Sequence, residues 1–228
     1  MPSKKEIDSI NTTLEELVLI SGLSGYENNV RSYLIKKLKT KSLKSTTDIL
    51  GNLTCTLKGD DNLPSVILFA HMDQLGFIVK KIENNGFIRV ERLGGIPEKA
   101  LASQDIVIIN NKNEYIKGII GNKSHHATLQ DEKYTVTPIK NIYIDAGFKS
   151  KTDVLKSGIN IGSPVTYAPY YKTLSNNNVC GSSIDDRAGC AVILDVSSLL
   201  TKIKKRPTVH IVFSVQEEFN LRGILPVI

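Results

Sequence analysis

A chain of 228 residues is long for one domain and short for two, which allows a single large domain or a domain carrying an insert. Hydrophobic residues make up 41% and charged residues 23%, close to the globular mean, so a disordered or collagen-like chain is excluded, and no apolar run approaches the roughly 18 residues of a membrane span. The formal net charge is +6, but the lysines are dispersed or grouped at expected helix ends (Lys36 to Lys44, Lys202 to Arg206), where they complement the helix dipole, so neither a nucleic acid nor a membrane is expected as a partner.

The N-terminus, Met1-Pro2-Ser3-Lys4-Lys5-Glu6, leads into a polar helix and not into the apolar core of a secretory signal. Thr12 and Thr13 followed by Glu15 and Glu16 read as a helix cap ahead of Leu14, Leu17 and Val18. Ser24-Gly25-Tyr26-Glu27 reads as a capping box for a second helix with Val30, Leu34 and Leu38 on one face. Residues 43–55 read as a hairpin turning at Asp48-Ile49-Leu50-Gly51-Asn52. Ser65 to Ala70 is a continuous apolar run between Pro64 and His71, the pattern of a strand buried on both faces of a parallel sheet.

From about residue 75 to 165 short β-type runs (77–81, 86–91, 105–109, 115–120, 142–145 and 164–168) alternate with turns such as Asn84-Asn85-Gly86 and Gly94-Gly95, which predicts a small barrel or sandwich. The α/β texture then returns, with an amphipathic helix over 186–200 whose stripe is Ala188, Val192, Val196 and Leu199, and a buried strand over 208–215. Cys55, Cys180 and Cys190 are odd in number and have no CxxC spacing, which fits a reducing, cytoplasmic setting; Cys180 and Cys190 are expected as small apolar core residues. The fold class expected is α/β: an α/β domain over 1–74 and 163–228, interrupted by an all-β, barrel-like insert over 75–162. Leu221 to Ile228 starts what reads as a further crossover helix, so a sheet that is C-terminally incomplete is expected.

Three segments could carry chemistry. His71-Met72-Asp73 follows the 65–70 strand, and ligands collect at the carboxyl ends of strands in open α/β sheets. A metal-bound histidine donates its second ring N–H to a carboxylate, which Asp73 could supply. Asp185-Asp186-Arg187 opens a helix, where an acidic pair can cap the helix or bridge metal ions; the residue types leave the choice between Asp185 and Asp186 open. Gln216-Glu217-Glu218 ends the 208–215 strand, and consecutive residues there point in opposite directions, one toward a metal and one toward an attacking water. Each segment alone is as readily structural. Together they form a donor set of histidine, aspartate and glutamate suited to zinc, cobalt or manganese. His210 lies inside the 208–215 strand and reads as a sheet-face or core histidine.

The sequence resembles the dinuclear metalloaminopeptidases of the glutamyl/tetrahedral-aminopeptidase family, some of whose members carry the endoglucanase name. The resemblance rests on Leu23-Ser24-Gly25-Tyr26-Glu27, Asp48-Ile49-Leu50-Gly51-Asn52, Ala70-His71-Met72-Asp73-Gln74-Leu75-Gly76-Phe77, Gly118-Ile119-Ile120-Gly121, Ile184-Asp185-Asp186-Arg187-Ala188-Gly189-Cys190 and Val215-Gln216-Glu217-Glu218, in family order across nearly the whole chain. It implies two divalent metal ions, with His71 as ligand of one, Asp185 as the bridging carboxylate and Glu218 as a terminal ligand. It also implies Glu217 as general base, Asp73 orienting His71, and the β insert as a dimerisation domain in an assembly that reaches twelve subunits. Departures are Asn220, where the family commonly has glycine, His126, where Pro-Pro-His is usual, and a length short of the family's, whose further Asp and His ligands lie beyond residue 228.

The function expected is that of a metal-dependent aminopeptidase acting on short peptides, as a homo-oligomer. Two rivals are a truncated pseudoenzyme that serves only in assembly, and a related metallohydrolase that cleaves an N-acyl or C-terminal amide.

Overall fold

Our account rests on a computed structural model that describes residues 4–227. Two helices, α1 (Lys4–Val18) and α2 (Asn28–Thr40), precede the strands β1 (Thr46–Thr47), β2 (Leu53–Leu57) and β3 (Val66–His71). The chain continues through β4 (Gly76–Ile82), β5 (Ile88–Leu93), β6 (Asp105–Ile109), β7 (Tyr115–Gly121), β8 (Tyr143–Asp145), a short helix α3 (Lys151–Lys156) and β9 (Pro164–Tyr167). It returns through a hairpin of β10 (Tyr171–Thr173) and β11 (Val179–Gly181) to α4 (Ile184–Leu200) and β12 (Val209–Ser214). Two compact units result, one from the residues up to Gln74 together with those from Pro169 onward, the other from Leu75–Ala168. No helix among the described residues is long and apolar enough to cross a membrane.

The first unit is built on a four-stranded sheet in the order β1-β2-β12-β3. β12 is the middle strand, antiparallel to β2 and parallel to β3, with Val209 opposite Val66 and Ser214 opposite His71. That register ends β3 and β12 side by side, so the residues that follow each strand, 72–73 and 215–218, emerge next to one another. Leu14, Leu17 and Val18 of α1, Val30, Leu34 and Leu38 of α2, and Cys190, Ala191 and Leu194 of α4 close over Leu53, Ala70, Ile211 and Phe213. Burying each of the valine, leucine, isoleucine and phenylalanine side chains among them contributes about 1.5–3 kcal/mol.

Four local expectations change. Helix α1 is already formed at Lys4, so Thr12 is an interior residue whose hydroxyl donates to the Asp8 carbonyl one turn back at 2.9 Å and caps nothing. The cap of α2 is Glu27, three residues later than the Ser24 expected from the capping box. The stripe of α4 that faces the core is Arg187, Cys190, Ala191, Leu194 and Ser197, whereas Val192 and Leu199 are exposed. The apolar run of β3 is not buried on both faces: Leu68 and Ala70 pack inward, but Ile67 (42%) and Phe69 (61%) on the opposite face are open. Its hydrophobicity was legible in the sequence, but its place at the end of the sheet order was not.

The second unit is a closed barrel in the order β4-β5-β8-β7-β6-β9. Phe77, Val79, Ile88, Val90, Ile106, Ile108, Ile120, Ile144 and Val165 point inward at alternate positions and fill it. β9 closes the ring by pairing with both β4 (Phe77 opposite Val165) and β6 (Val107 opposite Thr166), so the chain leaves the barrel at 168/169, six residues after the boundary read from the sequence. Helix α3 and the β10–β11 hairpin were not foreseen; Val154 of α3 is fully buried in the barrel core.

Candidate active site

The candidate site lies in the first unit, where β3 and β12 end and α4 begins. His71, the last residue of β3, is 8% exposed and has a carboxylate or carbonyl against each ring nitrogen. Nδ1 is 3.1 Å from the Asp73 carbonyl oxygen and 3.4 Å from Asp73 Oδ1. Nε2 is 3.1 Å from Asp185 Oδ1 and 3.7 Å from Glu217 Oε2. Burial opposes the charged imidazole, but the carboxylates of Asp73, Glu217 and Asp185 outweigh it and lift the His71 pKa from 6.5 to about 9.

Asp73 is fully buried and holds the strand end on the other side. Its Oδ1 accepts the Glu217 N–H at 3.0 Å and its Oδ2 accepts the Glu218 N–H at 3.1 Å. Burial pushes the Asp73 carboxyl up, and the His71 ring with the two backbone amides pulls it down by more, so it stays ionised below the ordinary range. Glu218 joins the cluster through that backbone bond; burial first, then the neighbouring carboxylates, raise its carboxyl, against the pull of His71.

The structure separates the two aspartates that sequence reading left open. Asp186 turns inward: Oδ2 accepts the His71 backbone N–H at 3.2 Å and Oδ1 accepts the Gly189 N–H at 3.0 Å, the role of a helix cap. A Cβ at Gly189 would collide with that carboxylate, which is the local reason for glycine there. The side chain of Asp185 is 88% exposed and reaches His71 Nε2.

A family model for the M42 glutamyl aminopeptidases matches residues 51–227. The chain belongs to that family. The SgcX protein of Escherichia coli is 36% identical over 221 residues, which cover 96% of this chain and 59% of SgcX. An aminopeptidase from the archaeon Desulfurococcus kamchatkensis superposes with a TM-score of 0.87 at 29% identity, covering 96% of this chain and 59% of that one. A Pyrococcus horikoshii TET peptidase, which can assemble into a tetrahedron or a large octahedral shell, superposes with a TM-score of 0.86 at 26% identity, covering 94% and 63%. The chain therefore spans about three-fifths of the length of these relatives.

Membership of the M42 family implies divalent cations, and the donors on this chain can be tested against that. Two ligands at about 2.0–2.1 Å from one tetrahedral ion stand about 3.3 Å apart. The distance from His71 Nε2 to Asp185 Oδ1, 3.1 Å, is close to that spacing. A histidine nitrogen among carboxylates is also the donor chemistry that such ions prefer. Among the described residues no group of three or more His, Cys, Asp or Glu side chains forms a closed set around one point, so the fit is to part of a ligand shell.

The structure places His71, Asp73, Asp185, Glu217 and Glu218 close together, and it adds residues that hold them and that sequence reading missed. Glu27, 3% exposed, accepts the Gln216 N–H at 3.1 Å. Asn52 Oδ1 accepts the Val215 N–H at 3.0 Å, while its Nδ2 donates to Asp48 Oδ2 and the Gly223 carbonyl. Arg187, wholly buried, donates to the Leu17 carbonyl and to Gln74 Oε1. These are long-range contacts with no spacing to betray them. The departure at Asn220 has a backbone reason: its φ is +59°, a left-handed value where glycine is free and asparagine is the best tolerated alternative. Cys190 is buried as expected, its thiol donating to the His71 carbonyl at 3.3 Å and pushed up to about 12 by burial, whereas Cys180 is only half-buried, on β11. His210 sits on the sheet face beside Thr56 Oγ1.

Proposed function

We propose that this chain carries catalytic groups of a metal-dependent aminopeptidase that removes N-terminal residues from short peptides. The observation that carries this reading is the convergence of Asp185 Oδ1 and Glu217 Oε2 on Nε2 of His71, whose ring is turned by Asp73. His71, Asp185 and Glu218 would hold two divalent ions, zinc, cobalt or manganese. When bound, such ions polarise a carbonyl and lower the pKa of water.

The chain's own residues supply the rest. With Nδ1 hydrogen-bonded to the Asp73 carbonyl, the His71 ring is turned so that Nε2 faces Asp185 and Glu217. Glu217 Oε2 takes a proton from the attacking water and returns it to the departing amine. The carboxylates of Asp73, Asp185, Glu217 and Glu218 favour a substrate that presents a positively charged α-amino group over one whose amine is acylated. The barrel unit would provide the contacts for homo-oligomers, in line with the shells formed by the Pyrococcus horikoshii relative. Three free cysteines suit a cytoplasmic setting.

The test is Glu217→Gln in the full chain, loaded with cobalt or zinc and desalted. Hydrolysis of an aminoacyl p-nitroanilide should fall by about 10²–10⁴ while metal per chain stays at the wild-type value. Equal loss of metal and activity would remove Glu217 from the role of base. A wild-type chain that binds metal and cleaves neither the aminoacyl nor the N-acetylated substrate would favour an assembly role without hydrolysis.

A further inference from the structure

The segment that carries Glu217 has an unusual anchorage. The backbone N–H groups of Gln216, Glu217 and Glu218, three in succession, each end on a buried carboxylate from a distant part of the chain. Asp73 takes the last two and Glu27 Oε1 takes the first at 3.1 Å. Gln216 has φ +52°, in the left-handed region that a side-chain-bearing residue adopts only when its surroundings hold it there.

Asn52 holds Val215 before the turn and Asp73 holds Glu217 and Glu218 after it, while Glu27 takes the N–H of the left-handed residue between them. Glu27 is a firm third point. It is 3% exposed, its Oε1 also accepts the Gly25 N–H at 2.7 Å, and its backbone leads directly into α2, whose Val30, Leu34 and Leu38 are completely buried. We infer that Glu27 is a positioning residue for Glu217, holding Gln216 in its left-handed turn so that the Glu217 carboxylate is directed at His71 and Asp185. The inference rests on Glu217 acting as the base, and the test below separates the two.

Residue-resolved amide exchange on the full chain, with Ile211 in the middle strand as reference, reads the anchorage without any need for turnover. Glu27→Ala should speed exchange at Glu217 and Glu218, relative to Ile211, by about tenfold or more, although neither amide bonds to Glu27. Glu27→Gln, which keeps an acceptor oxygen at the same reach, should return both to within about threefold of wild type. Should Glu27→Ala fail to fold, Glu27→Asp retains the charge but is one methylene too short for Gln216, and the same acceleration is expected. Wild-type exchange at Glu217 and Glu218 in whichever of these two variants folds would overturn the inference. Where aminoacyl p-nitroanilide turnover is measurable, kcat should fall in Glu27→Ala with KM unchanged and recover in Glu27→Gln. A wild type without turnover counts against Glu217 as base, and the exchange contrast still decides the role of Glu27.

Discussion

Removing the Asp73 carboxylate with Asp73→Ala orphans the backbone N–H groups of Glu217 and Glu218 and strips His71 Nδ1 of its side-chain partner. An unsatisfied buried donor costs about 1–3 kcal/mol. The two amides belong to half-buried residues that water partly reaches, and losing one negative charge relieves Glu218, so the lower end applies and the total should be about 2–4 kcal/mol. Asp73 has its carboxyl lowered from 3.8 in the fold, so its contribution is present above that value and is lost as pH falls through the lower folded value. His71 is raised from 6.5 to about 9, so its contribution is complete below 6.5 and is lost as pH climbs through about 9. The gap between wild type and Asp73→Ala, measured by urea unfolding with chelator present, should therefore be widest near pH 4–6.5 and narrower at pH 9.5. A gap below about 1 kcal/mol at pH 5.5, or one that does not change with pH, would refute the account of Asp73 as the hub of the site.

Two other outcomes are expected. Because His71 keeps its proton up to about pH 9, cation binding at pH 7.5 should release about one proton per ion held by His71, falling toward none above that pH; calorimetry in two buffers of different ionisation enthalpy reads this, and no release at pH 7.5 would contradict the geometry at Nε2. Asn220→Val forces a β-branched residue into the left-handed region and should cost about 1–2 kcal/mol, a drop of roughly 2–8 °C in Tm, while Asn220→Gly should cost nothing.

The β alternation of the barrel was legible because each strand buries one face, and that period survives in the sequence whatever the neighbours are; six runs became six strands. The segments of the site were legible because they sit where elements end. Which atom meets which was not. Asp185 and Asp186 are chemically the same, and only the backbone turn at the start of α4 sends one to Gly189 and the other to His71. Glu27 read as part of a cap because a cap is a local pattern, whereas its bond to Gln216 spans 189 residues. The faces of β3 and α4 were misjudged for a related reason: hydrophobicity marks a residue as suited to burial, but the sheet order and the packing of helices decide which suited residues are covered.

The sheet order also has a kinetic meaning. β12 lies between β2 and β3 although it comes last in sequence among the described strands, and Thr56 meets His210 across 154 residues. During synthesis the first two long strands wait, without the neighbour that joins them, while the whole barrel emerges and can close on itself. Closure of the barrel pairs β4 with β9 and so brings the two ends of that excursion together, replacing a long flexible loop by a short one before β12 arrives. The insert is thus a clamp on chain entropy, and the site at the ends of β3 and β12 can be assembled only after the barrel that separates those two strands in sequence has been made.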